Sequence, residues 1–139
     1  MIQNQTTIFD MLYPKYNITK PIRLIELFSG YGSQYLALKY LNANVEHYKI
    51  CEWAVKSIQA YNDLHIQDYN NYSENLSDDE VLDYLVESGV SINYNEPATR
   101  NQLKRQNYRK IYNNIIATTN LVNIQNAKGK DFEIINKNK

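Results

Sequence analysis

Residues 22–53 read IRLIELFSGYGSQYLALKYLNANVEHYKICEW. Ile22 to Phe28 is a nearly continuous apolar run, interrupted by Arg23 and Glu26. Such a run suits a parallel strand buried on both faces. Ser29-Gly30-Tyr31-Gly32-Ser33 is a turn, and a helix follows from about Ser33 to Asn42. Leu36, Ala37, Tyr40 and Leu41 give that helix an apolar stripe at one-turn spacing. Val45 to Cys51 is a second strand, with Glu52 and Trp53 at its carboxyl end. A strand feeding a glycine turn and a helix places backbone N–H groups and the helix dipole beside the strand's exit. This is half of a nucleotide-type cofactor site.

Residues 1–20 are polar with a short apolar island. Thr7 caps a turn through Ile8, Phe9, Met11 and Leu12, which Tyr13-Pro14 stops. The segment reads as a cap over one edge of the core. After Trp53 a second helix is expected from about Ala54 to His65, with Val55, Ile58, Tyr61 and Leu64 on one side. The β-α-β-α order predicts an α/β fold with a parallel sheet and right-handed crossovers. Gln67 to Asn75 is a polar loop. Ser77-Asp78-Asp79-Glu80 is a capping box, Ser77 at the N-cap and Glu80 at N3. Its helix carries Val81, Leu82, Leu85 and Val86, and Gly89 ends it. Beyond the loop from Val90 to Pro97, one long helix is expected from about Ala98 to Thr118. Leu103, Tyr108, Ile111, Tyr112, Ile115 and Ile116 form its apolar side. Leu121 to Gln125 reads as a third strand, and Phe132 to Ile135 as the opening of another element. Residues 21–139 thus read as one domain whose β-α alternation gives way to helices at about 67–120.

The 139 residues suit a single domain. Lys plus Arg number 15 and Asp plus Glu number 15, so no global charge draws the chain to nucleic acid or an anionic membrane. Cys51 is the sole cysteine, which excludes an internal disulfide and speaks against a thiolate zinc site. His47 and His65 have no metal-ligand spacing with Cys51. No secretory signal pattern or membrane-length apolar run is visible. A soluble, cytoplasmic protein is expected.

An acid about 20 residues after the second glycine is placed to accept hydrogen bonds from ribose hydroxyls, and Glu52 stands there. Trp53 offers a flat face for an adenine. The dinucleotide fingerprint asks for a third glycine where this chain has Tyr35, and a tyrosine would hold the helix off the strand. Glu26, near the strand's exit, would repel a pyrophosphate. A cofactor with a cationic or zwitterionic end fits better, and S-adenosylmethionine has that character.

Glu26-Leu27-Phe28-Ser29-Gly30-Tyr31-Gly32-Ser33, followed by Ile50-Cys51-Glu52-Trp53, resembles the opening of DNA (cytosine-5)-methyltransferases. The resemblance implies a Rossmann-like S-adenosylmethionine-dependent methyltransferase fold, here incomplete. Phe28, Gly30 and Gly32 match the family's Phe-x-Gly-x-Gly motif, which cradles the cofactor, with Glu26, Ser29, Tyr31 and Ser33 around it. Ser33 stands where the family usually has a further glycine. Glu52 and Trp53 match the acid–aromatic pair that binds ribose and adenine. Asn123, in Val122-Asn123-Ile124, takes the place of the family's acid at the end of the third strand. An amide still accepts a hydrogen bond from the adenine amino group. The implied activity is methyl transfer to C5 of cytosine in DNA, as in restriction–modification systems, on a base flipped from the duplex.

The family's nucleophile is a cysteine in a Pro-Cys motif, and no Pro-Cys occurs in this chain. Glu-Asn-Val and Gln-x-Arg-x-Arg motifs are absent too, so the similarity is to the N-terminal portion only. Cys51 lies inside an expected strand and reads as a small buried hydrophobe. No catalytic residue is assigned, and inactivity of this chain alone is expected. DNA would be met through the complete enzyme. Three alternatives stay open: a truncated product, one subunit of a split enzyme whose partner supplies the Pro-Cys half, and a non-catalytic regulator. For the regulator, Arg100, Lys104, Arg105, Arg109 and Lys110 form the candidate phosphate-contacting face, interleaved with Tyr108 and Tyr112. An incomplete sheet would leave one strand edge unpaired, predicting marginal stability or self-association unless another chain covers it.

Overall fold

The computed structural model describes residues 19–132. The Thr7 turn and the residues after Phe132 lie outside them. Strand β1 (Ile22–Leu27) and strand β2 (Val45–Cys51) pair in parallel. Ile22 lies opposite Val45 and Leu27 opposite Cys51, with a register shift between Leu24 and Ile25. Helix α1 (Ser33–Tyr40) makes the crossover. This is a mixed α/β arrangement with parallel strands, as the element order requires. Among the described residues β1 has β2 as its one strand neighbour.

The orientation of α1 corrects the sequence reading. Leu36, Tyr40 and Leu41 of the expected inner stripe face solvent, and Tyr35 is the buried residue. The cause is local. The Tyr35 N–H donates to the Glu26 carboxylate (3.1 Å), and the Tyr35 ring packs edge-on against His65. Together they turn the helix so that Tyr35 occupies the space over the strands.

Helix α2 (Val55–Tyr61) runs directly into a single wide π-turn over Asn62–Ile66. Asn62 is fully buried, donates to the Asp68 and Asn114 oxygens, and accepts the Asp68 N–H. Its fixed side chain holds the widened turn, which brings His65 beside Tyr61 and Tyr35. Helix α3 (Asp78–Ser88) has the expected capping box, and Gly89 closes it at φ 76°. Val81, Leu82 and Leu85 are buried, whereas Val86 is exposed.

The expected long helix is two helices, α4 (Arg100–Lys104) and α5 (Tyr108–Ala117). The break follows from a second cap. Asn107 accepts the Lys110 N–H and starts α5 afresh. Thr99 and Gln102 form a capping box for α4. The third strand does not form either. It is reduced to one parallel bridge between Ile50 and Asn120, with the Leu121 N–H donating to the Ile50 carbonyl. Val122 then takes φ 61°, which ends any extended run. A 3-10 turn covers Gly129–Phe132.

The core sits on the insert side. Ile58, Val81, Leu82, Leu85, Val90, Ala98, Leu103, Ile111, Ile115 and Val122 form one buried cluster. Its stability comes from apolar burial among α2 to α5, about 1.5–3 kcal/mol for each fully buried large side chain.

A second, polar anchor ties β2 to the end of α5. The His47 Nε2 lies 2.8 Å from the Thr118 carbonyl, and its Nδ1 lies 3.2 Å from the Tyr61 hydroxyl. Burial holds the His47 pKa below its ordinary 6.5, outweighing the Thr118 carbonyl and the nearby Glu26, which raise it. A lowered folded-state pKa means that the unfolded chain binds the proton more readily. The stability from neutral His47 is therefore complete above the ordinary value and is lost as pH falls through the folded one. The melting temperature should drop on acidification below about pH 6.5. His47→Gln should flatten that slope; an unchanged slope would assign it elsewhere.

Candidate functional site

The site begins where β1 ends. Phe28 has φ 57°, a left-handed conformation that a bulky side chain adopts only under constraint. Gly30 and Gly32 have φ 52° and 79°. They need glycine for different reasons. A Cβ on Gly30 would enter open space, so backbone conformation alone demands glycine there. A Cβ on Gly32 would come within 2.8 Å of Tyr61 and closer still to His65, so this glycine serves packing.

Glu52, at the end of β2, joins the two strand exits. It is 8% exposed, and its carboxylate accepts the Gly30 N–H and the Ala54 N–H, each at 2.8 Å. The Gly30 N–H is thus committed to a carboxylate. An anionic phosphate at this turn would meet that carboxylate instead of a free donor. Trp53 follows, half-buried. Its carbonyl accepts the Ser91 N–H (2.8 Å), and the Ser91 carbonyl accepts the Val55 N–H.

A cleft of about 600 Å³ opens against these residues. Phe28, Cys51, Glu52, Trp53 and Ser57 form one wall. Tyr94, Asn95 and Pro97 come from the loop after α3, and Val122 to Gln125 from the turn after α5. The volume lies within the range of small-molecule sites, about 300–1,000 Å³. A buried acid, three aromatic side chains and an amide at Asn123 offer acceptors for hydroxyls and flat faces for a ring.

The structure brings together Phe28, Glu52, Trp53 and Asn123 and leaves other expected site residues outside the cleft. Glu26 is buried and engaged elsewhere: it accepts the Tyr35 N–H and the Tyr61 hydroxyl (2.5 Å). These bonds seat α1 and α2 against β1. Tyr31 is exposed, and its carbonyl lies 2.7 Å from the His65 Nε2. Ser33 is exposed with its hydroxyl on Gln34. Ser29 is buried, and its hydroxyl has no hydrogen-bond partner among the described residues. Sequence reading missed Ser57, Tyr94, Asn95, Pro97 and Asn120. The first four carry no motif. Asn120 is the partner of Glu52 and acts by a side-chain bond that spacing does not reveal.

No protein-family model matches the chain. The chain is similar to the orphan methyltransferase M.SssI of Spiroplasma monobiae, with 29% identity over 124 residues. The chain is a distant relative of a methyltransferase. The match covers 85% of this chain and 30% of the relative, so the chain spans under a third of the length of the curated relative it matches. The matched part is consistent with the N-terminal portion inferred from the motifs.

Two of the five residues in the basic run of this chain are committed to its own fold. Arg100 pairs with Asp79 and Asp83. Arg109 pairs with Asp78 (2.6 Å) and donates to the Ser73 and Leu76 carbonyls. Its hydrogen bond to Asp78 holds that carboxyl below the ordinary range. These arginines fasten α3 to α4 and α5. Lys104, Arg105 and Lys110 remain exposed.

Cys51 is buried, and burial together with the Glu52 charge pushes its thiol pKa up to about 11. Its Sγ donates to the Val122 carbonyl at 3.4 Å. A thiol held protonated is a poor nucleophile. Iodoacetamide at neutral pH should label Cys51 only after denaturation, as read by intact mass; rapid labelling of the folded chain would contradict this. Among the described residues no group of three or more His, Cys, Asp or Glu could hold a metal ion. No described helix is long and apolar enough to cross a membrane.

Proposed function

We propose that this chain is the N-terminal, cofactor-binding part of an S-adenosylmethionine-dependent DNA methyltransferase acting on C5 of cytosine. The observation that carries the reading is the placement of Glu52 and Trp53 at the exit of β2, facing one cleft with Phe28 and Asn123. The similarity to a methyltransferase supports it. In this reading residues 21–139 belong to a partial methyltransferase domain with an incomplete Rossmann-like sheet, with 67–120 as an insert and 1–20 as a cap. S-adenosylmethionine would supply the methyl group. Glu52 would accept its ribose hydroxyls on lone pairs left over from Gly30 and Ala54. Trp53 and Phe28 would flank the adenine, and Asn123 would accept from the amino group. The closed Gly30 N–H disfavours a dinucleotide, whose pyrophosphate needs free donors there.

The attack on cytosine C6 falls to a cysteine that this chain does not contain in a Pro-Cys motif. Calorimetric titration of the chain with S-adenosylhomocysteine should show binding, and Trp53→Ala should weaken it by about tenfold or more. Purified chain incubated with DNA and labelled S-adenosylmethionine should transfer no methyl group. Binding of NAD but not of S-adenosylhomocysteine would overturn the cofactor assignment, and methyl transfer by the chain alone would overturn its inactivity.

A further inference from the structure

We infer that Asn120 is a positioning residue: its side-chain amide, standing in for a third strand, fixes the Glu52–Trp53 backbone and so the carboxylate and ring that face the cleft. Asn120 is 7% exposed. Its Oδ1 accepts the Glu52 N–H (3.0 Å), and its Nδ2 donates to the Glu52 carbonyl (2.9 Å). A carboxamide presents the same donor and acceptor as a peptide group. The backbone ladder beside β2 stops at the bridge between Ile50 and Asn120. The Asn120 side chain adds the next rung, opposite Glu52, where the backbone no longer can.

The same Oδ1 also accepts the Val122 N–H (2.8 Å). Val122 is β-branched and held at φ 61°, a conformation such residues reach only when their surroundings impose it. One amide thus closes the ladder and pins the strained turn that carries Val122, Asn123 and Ile124 into the opposite wall of the cleft. The orientation of the amide is unambiguous, because two N–H groups point at one end and a carbonyl at the other. Aspartate would keep the acceptor, lose the donor and set a second carboxylate near Glu52. Alanine would lose everything.

The inference deepens the methyl-donor reading of the cleft and depends on it only for the choice of ligand. Trp53 is the sole tryptophan, so its fluorescence reports the site without any ligand. The test compares the full chain with Asn120→Ala and Asn120→Asp, each checked for folding by circular dichroism. In Asn120→Ala, acrylamide should quench Trp53 more strongly and emission should shift to longer wavelength. Affinities for adenosine and for S-adenosylhomocysteine should fall by the same factor, roughly tenfold, since both carry the nucleoside end. Asn120→Asp should fall between, and it decides the matter if the alanine variant does not fold. Unchanged quenching or unchanged affinity in a folded variant overturns the inference. So does a loss confined to S-adenosylhomocysteine. If the unaltered chain binds neither ligand, the methyl-donor reading fails, and Trp53 quenching alone decides whether Asn120 positions the pair.

Discussion

Glu52→Ala is expected to abolish measurable S-adenosylhomocysteine binding and to destabilise the fold at the same time. The Glu52 carboxylate is the acceptor for the Gly30 and Ala54 N–H groups. Ala54 is buried and Gly30 partly so. Removing the acceptor leaves two donors without a partner, each at a cost of about 1–3 kcal/mol. The sum is a large part of the roughly 5–15 kcal/mol that holds a domain together. The melting temperature should fall by on the order of 10 °C or more. Glu52→Gln keeps the shape but offers a single acceptor oxygen, so it should lie between. A melt of Glu52→Ala within a degree or two of the parent would mean that water reaches both N–H groups, and Glu52 would lose its role as the joint between the strand exits.

The second large effect is expected at Gly32. An alanine there would place its Cβ 2.4 Å from the His65 ring and 2.8 Å from the Tyr61 ring, in a left-handed backbone at φ 79°. Tyr61 is fully buried and hydrogen-bonded to Glu26, and the His65 ring lies between Tyr35 and Tyr61. The Tyr61 ring has no free space to yield, and the half-buried His65 ring is held by Tyr35 and Tyr61 on its two sides. Left-handed strain adds about 1–2 kcal/mol and overpacking about 1–3 kcal/mol. Thermal denaturation of Gly32→Ala should show a loss of roughly 2–5 kcal/mol from those two sources. Gly30→Ala should show only the backbone contribution, because its Cβ meets nothing. Equal losses at the two positions would refute the packing account of Gly32.

The strand, turn, helix and strand at residues 22–51 were legible because their signals are local: an apolar run, glycines, and an acid–aromatic pair at a fixed interval. The α3 caps were legible for the same reason, since Ser77, Glu80 and Gly89 act within one turn. What escaped depended on distant side chains. The stripe of Leu36, Tyr40 and Leu41 is as periodic as any inner face, but the Glu26 bond to the Tyr35 N–H decides which face turns inward. A long apolar period from Ala98 to Thr118 hid the cap at Asn107, because Leu103, Ile111 and Ile115 stay in phase across the break. Val122 resembles a strand residue in type and is not one in conformation. Arg100 and Arg109 resemble a nucleic-acid face until their aspartates, 17 to 31 residues away, are placed beside them. Of the residues lining the cleft, Phe28, Glu52 and Trp53 at the strand exits were legible by type and spacing. Asn120, whose role is to hold another residue, was not.

The uneven placement of the core divides the molecule into a slow-opening and a fast-opening part. Between residues 19 and 44 Tyr35 is the only buried apolar side chain. The continuous cluster begins at Ile58. Local opening is easiest where few apolar contacts must be broken. The glycine turn and α1 would therefore exchange their amide hydrogens well before Leu82 or Ile115 do. A molecule seated between Phe28 and Glu52 on one wall and Tyr94 and Asn123 on the other would bridge the two parts. Its contacts would serve as the missing apolar layer, so that the weakly held cradle opens only when the whole chain does.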